Sequence, residues 1–167
     1  MKSLSQIVAK LKEIQESHPR LNSFYFGQLY NLGMSDTPIY PLMAGTLLNN
    51  SLSGNQFTTN IALVFADLVN KGEENKLDVL SDTQRTALDV YALFAEWCRD
   101  EQIEIVQEAT LDDFEDRFND EVSGFVMEFG FTQFFDKNTC WATEEIEYLL
   151  LETGDFMLLE SGDKIYL

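Results

Sequence analysis

Histidine, cysteine and clustered carboxylates are the side chains most often recruited for chemistry, and this chain supplies them unevenly. It holds one histidine, His18, and two cysteines, Cys98 and Cys140, with no C-x-x-C pair. Three such residues cannot assemble a four-ligand Cys/His zinc site. The cysteines read as buried free thiols of a reducing cytoplasm. His18 stands immediately before Pro19, at the end of a helical pattern. It has two readings, a general base or a helix C-terminal residue facing the dipole, and the second is the more ordinary. G-x-S-x-G, H-E-x-x-H, G-x-x-x-x-G-K-[ST] and G-x-G-x-x-G are all missing from the sequence. The expectation is a chain without catalytic residues, metal or cofactor.

The carboxylates are concentrated. Asp112, Asp113, Glu115, Asp116, Asp120 and Glu121 fall within ten positions, interrupted by Phe114, Arg117, Phe118 and Asn119. The run lacks the D-x-[DN]-x-[DN]-G order and the glycine that a calcium loop needs for its turn. A strand with Phe114 and Phe118 inward and the acids outward accounts for it without an ion. In the whole chain, 29 Asp and Glu oppose 11 Lys and Arg, a formal net charge of -18 over 167 residues. Residues 1–95 contribute only -2 of this, and residues 96–167 contribute -16. Between Leu21 and Ala66 the sole charged side chain is Asp36. So acidic a chain does not hold nucleic acid or an anionic membrane by a basic surface. Its apolar runs are too short to span a bilayer, and no secretory leader is apparent. Segregated charge points to different faces meeting different things, or to an acidic face that only keeps the protein soluble.

The elements that must position these residues follow from capping and periodicity. Ser3 with Gln6 makes a capping box, and Leu4, Ile7, Val8, Leu11 and Ile14 form one helical stripe that Pro19 ends. An aromatic strand is predicted over 21–27, and a second over 39–47 with Pro41 at an edge or start. A polar loop is predicted from Asn49 to Asn55, then a third strand over 57–65 that forms a long antiparallel hairpin with the second. Ser81 to Gln84 repeats the capping box, predicting a second helix with Ala87, Val90, Tyr91, Phe94, Trp97 and Cys98 inward. Short strands are predicted at 103–106 and 111–118. Alternating Phe125, Met127, Phe129 and Phe131 predict another long one. Leu151-Glu152-Thr153-Gly154-Asp155 recurs as Leu159-Glu160-Ser161-Gly162-Asp163, predicting a β-meander or extended arm at the C-terminus. The fold class is therefore α+β: one twisted antiparallel sheet with two packed helices, a core domain over 1–135 and a C-terminal β arm over 136–167.

An N-terminal helix followed by His18-Pro19-Arg20-Leu21-Asn22-Ser23-Phe24-Tyr25-Phe26-Gly27 and Ile39-Tyr40-Pro41-Leu42-Met43 comes in a familiar order. Phe57 to Phe65 with Asp67-Leu68, then Leu80-Ser81-Asp82 and Phe118 to Phe129, continue it. The pattern resembles the head–tail connector or tail-terminator-like neck ring proteins of tailed bacteriophages, particularly crAss-like and related phages of Bacteroidetes. The likeness covers roughly residues 1–135 and is one of order and spacing. It implies a tail-terminator-like fold and a ring-forming virion subunit, sixfold or twelvefold, beneath the portal. The implied partners are further copies of itself, the portal, an adaptor, or other neck and tail proteins. DNA would meet it only in transit. Assembly would take place in the host cytoplasm.

On this reading Asp112, Asp113, Glu115, Asp116, Asp120 and Glu121 are candidates for an acidic lumen face that repels passing DNA. An outward, solvent-facing position is the alternative. Tyr40, Leu42, Phe57, Trp141, Tyr148 and Phe156 are candidate inter-subunit contacts, because an uncharged hairpin invites edge-to-edge pairing unless a partner covers it or it lies centrally in the sheet. The competing function is an acidic DNA-mimic inhibitor of the anti-restriction type. Such a mimic needs carboxylates spaced like phosphates over an elongated surface, and the first 95 residues contribute few.

Overall fold

The computed structural model describes residues 1–29, 38–70, 72, 74–106, 108–115 and 121–135. The chain divides into two units, Met1–Phe135 and Asp136–Leu167. The expected C-terminal arm lies outside the described residues.

Helix α1 runs from Leu4 to Ser17. Its capping box is present: the Gln6 amide donates to Ser3 Oγ at 3.3 Å, and the Ser3 amide donates to Gln6 Oε1 at 2.8 Å. These bonds satisfy two of the four donors that a helix start leaves open. Ile7, Leu11 and Ile14 are buried along one stripe, as their spacing requires. Gln15 is buried too, and its Nε2 donates to Leu21 O at 3.0 Å, tying the helix end to the run into strand β1, Ser23–Phe26.

Strand β2, Leu42–Ser53, pairs antiparallel with β3, Gln56–Leu68, through a two-residue turn at Gly54 and Asn55. Gly54 takes φ +60°, a conformation glycine adopts without steric cost. This corrects the loop expected at Asn49–Asn55, because the strand continues through it. Asn49 and Asn60 hydrogen-bond across the pair at 2.7 Å, so polar residues that resemble a loop are the side chains of a solvated ladder.

Helix α2 spans Lys76–Asp100 and starts five residues before the expected Ser81. Asn75 occupies the cap position without a side-chain cap bond. Its side chain closes the preceding loop instead, accepting from the Asn70 amide at 2.7 Å and donating to Leu68 O at 3.2 Å. Thr83 Oγ donates back to Val79 O at 2.7 Å, so the apparent second cap is absorbed in the helix interior.

After α2 come β4, Glu104–Ile105, β5, Thr110–Glu115, and β6, Val122–Phe134. The sheet order is β1-β2-β3-β6-β4, with β5 also on β6. Glu104 pairs with Thr132 and Thr110 with Glu128, so β4 and β5 are two stretches of one interrupted border. Among the described strands only β1 runs parallel to its neighbour, pairing Ser23 with Leu42 through to Phe26 with Gly45. The all-antiparallel expectation is corrected to a mixed sheet. The connection over 27–41 is long enough for the crossover a parallel pair requires. The α+β class stands.

Both helices lie on one face of this sheet. Ile7, Leu11 and Ile14 join Ala87, Val90, Phe94 and Cys98 over Met43, Ile61, Leu63, Phe65, Met127, Phe129 and Phe131. Phe94 anchors the layer, its ring centroid 5.5 Å from Phe129 and 5.9 Å from Phe131. Tyr91 meets Phe129 edge-on at 5.4 Å, a favoured aromatic geometry. Phe125 is only half-buried, unlike its alternating partners on β6. On the opposite face Leu42, Ala44, Val64, Ala66, Phe114 and Val122 form a second buried cluster, with Tyr25 and Tyr40 packed against it.

Candidate functional site

The acidic residues form a strand border. Asp112, Asp113 and Glu115 lie on β5 and are exposed, as is Glu121 just before β6. Asp116 and Asp120 lie outside the described residues. Strand alternation puts Leu111, Asp113 and Glu115 on one face and Asp112 with Phe114 on the other. Burial agrees, since Leu111 packs against the helix-side core and Phe114 is buried in the opposite cluster. Acid therefore shows on both faces of this edge. Glu115 Oε2 is 2.7 Å from Lys76 Nζ at the start of α2. With Glu121 they line a cleft of about 370 Å³. Glu104 and Glu108 are exposed along the same border, extending the negative strip.

Of the candidate contact residues, Leu42 is buried at 1% exposure inside the second cluster, beneath any surface a neighbour could touch. Tyr40 is half-buried against that cluster. Phe57 is half-buried on β3, directly across from Leu52. Trp141, Tyr148 and Phe156 lie outside the described residues.

Sequence reasoning missed the outer border of β2. Leu47 to Ser53 are all exposed although they are strand, and they include Leu47, Leu48 and Leu52. The lack of charge between Leu21 and Ala66 was the signal that could have found them. Reading Asn49–Asn55 as a loop concealed it.

The segments on either side of β1 also converge. Pro19, Arg20, Leu21 and Asn22 meet Pro41, Leu42, Asp67, Asp82 and Thr83 around a cavity of about 360 Å³. Arg20 Nη1 is 2.6 Å from Asp82 Oδ1 across its mouth. Burial pushes the Asp67 carboxyl above its ordinary pKa; the Leu68 amide, donating to Oδ1 at 2.8 Å, pulls it back, and the charge of Asp82 raises it again.

His18 sits at the end of α1 with its side chain 7% exposed. Its Nδ1 accepts from the Arg20 amide at 3.3 Å, and its Nε2 is 3.8 Å from Asp89 of α2. The contact with Asp89 ties the end of α1 to α2. Cys98 is buried in the core, as expected, and burial pushes its thiol up to about 12. A thiol so far from ionising is a poor nucleophile. Cys140 lies outside the described residues. Among the described residues, no three His, Cys, Asp or Glu side chains gather as a metal site. Nor, among the described residues, is any helix long and apolar enough to cross a membrane.

No known family model matches this chain, and no curated protein matches it in sequence.

Proposed function

We propose that this chain is a ring-forming subunit of a tailed-phage neck, joining portal or adaptor to tail and leaving an acidic channel for DNA. The order and spacing of its segments support the neck assignment. One observation carries the self-assembly: the sheet has one uncharged, exposed border at Leu47–Ser53 and one acidic border along β4 and β5. An edge strand without lysine, proline or inward charge is a template for pairing, and a soluble protein keeps one when a partner covers it. Carboxylates along the other border suit a wall that DNA passes without adhering. Their repulsion of phosphate is felt within about 8 Å at physiological salt.

Electron microscopy of the purified protein, alone and mixed with the portal of the phage that encodes it, tests this reading. Rings, or a ring seated on the portal, are the expected result. The reading fails if purified virions contain none of this chain by mass spectrometry.

A further inference from the structure

The two sheet borders differ in a way that specifies how they can meet. Strand β1 covers β2 only from Leu42 to Gly45, with one more bond from the Gly27 amide to Gly45 O at 2.9 Å. Beyond this, among the described residues, no strand pairs with the outer side of β2. The uncovered stretch, Leu47-Leu48-Asn49-Asn50-Ser51-Leu52-Ser53, carries no charge and four side chains that donate hydrogen bonds. The far border presents Asp112 and Asp113 on β5, and ionised carboxylates only accept. Two acidic borders facing each other would place like charges in register, which destabilises a sheet. A neutral, donor-rich border does not.

We infer that the exposed half of β2 in one copy receives β5 of a second copy, antiparallel, with Asp112 and Asp113 opposite Ser51 and Asn50. The inference rests on the reading of the chain as a ring subunit and names the strands that join it.

Strand direction supports the join. Strands β2, β3, β6 and β5 alternate antiparallel throughout, so β5 and β2 run in opposite senses. When a copy rotated about the ring axis places its β2 beside this β5, the alternation continues unbroken. The contact is heterologous, the kind that closes into a ring when its rotation allows.

The ladder also fixes the offset. Through β6 and β3, Thr110 lies level with Thr46, and Phe114 with Leu42. Strand β1 blocks the border at that level, so β5 of the next copy must slide past it. The slide that brings Asp112 to Ser51, allowing for the bulge in β2 between Leu47 and Asn49, is about six rungs, or roughly 20 Å at 3.4 Å each. Four strand spacings of about 4.8 Å separate successive β2 strands, roughly 19 Å. Equal offset and width correspond to strands tilted about 45° from the ring axis, at the edge of the range closed barrels adopt. The step that β1 makes therefore selects a tilted, closed arrangement over a flat one.

The experiment places cysteines at exposed positions that the fold does not need. Ser51→Cys and Asp112→Cys are made singly and together, with Cys140→Ala so that the remaining thiol is the buried Cys98. Directly opposed residues in an antiparallel pair have Cα atoms about 4.5–5.5 Å apart, within disulfide reach. Under mild oxidation, a mixture of the two single variants should give a cross-linked dimer that neither gives alone. The double variant should give a ladder of dimers, trimers and higher species. Dimers from Ser51→Cys alone would show β2 pairing with itself and overturn the inference. Rings by microscopy without a ladder would overturn it while leaving the ring reading intact. Neither rings nor a ladder, with or without the portal present, would overturn both.

Discussion

Arg20 and Asp82, 62 residues apart in sequence, meet at 2.6 Å where the α1–β1 corner touches the second turn of α2. The distance is short, yet the side chains are 42% and 67% exposed. Water screens such a pair, and holding two mobile side chains in one geometry costs entropy. Exposed pairs contribute about 0–1 kcal/mol. Arg20→Ala and Asp82→Ala should therefore each lower the unfolding free energy by less than about 1 kcal/mol in urea titrations. The coupling from the double-mutant cycle should shrink in high salt. A coupling well above that range would mean the pair is less solvated than its exposure indicates.

A larger effect is expected at Gly124. This residue of β6 pairs with Ala66 of β3 and with Phe114 of β5. A Cβ there would collide with the backbone carbonyl of Phe65, which the ladder holds in place. Gly124→Ala should cost on the order of 3 kcal/mol, the upper end for overpacking, because backbone cannot rotate aside as a side chain can. Gly54→Ala is the control. Its added Cβ meets nothing within 4 Å, but φ is +60°. It should cost about 1–2 kcal/mol through backbone conformation alone. Thermal or urea unfolding separates the two, and equal losses would refute the collision.

These contrasts mark what could be read from the sequence. The start of α1 was legible because its capping box lies within four residues. The inward face of α2 was legible because Ala87, Val90, Phe94 and Cys98 keep helical spacing. The start of α2 was not, since it depends on Asn75 turning its side chain to Asn70 and Leu68. The parallel pairing of β1 depends on a partner many residues away, and no local pattern encodes it. The polar second half of β2 looked like loop because its neighbours on β3 supply the ladder that makes it strand. The acidic residues of β5 were visible as a group. Their division between the two faces follows from the exact strand register.

Asp67 gives a pH signature with a definite sign. Its folded pKa is raised, first by burial and then, against the Leu68 amide, by the charge of Asp82. A carboxyl with a raised folded pKa binds its proton more tightly when folded. Its ionisation therefore costs stability as pH rises from the unfolded value of 3.8 through the folded value, and that cost persists at neutral pH. Below the unfolded value both states are protonated and the cost disappears. Asn keeps an oxygen for the Leu68 amide but cannot ionise. Asp67→Asn should thus raise the melting temperature at pH 7, with the gain shrinking as pH falls toward 4. A variant less stable than wild type at pH 7 would show that the carboxylate has a favourable role in the folded chain.

Core and border leucines and aromatics should separate stability from assembly. Phe94 is fully buried against Phe129 and Phe131, so Phe94→Ala removes a large side chain from a packed layer. It should cost about 3–5 kcal/mol. Leu52 is 55% exposed on the outer half of β2, where truncation opens no cavity. Leu52→Ser should change monomer stability by less than about 0.5 kcal/mol. If a second copy covers this border, the same change removes apolar area that assembly buries. Light scattering should then show weaker association for Leu52→Ser at unchanged melting temperature. Were the oligomer unaffected, Leu52 would be an ordinary solvent-exposed leucine and the border would have to be covered elsewhere along β2.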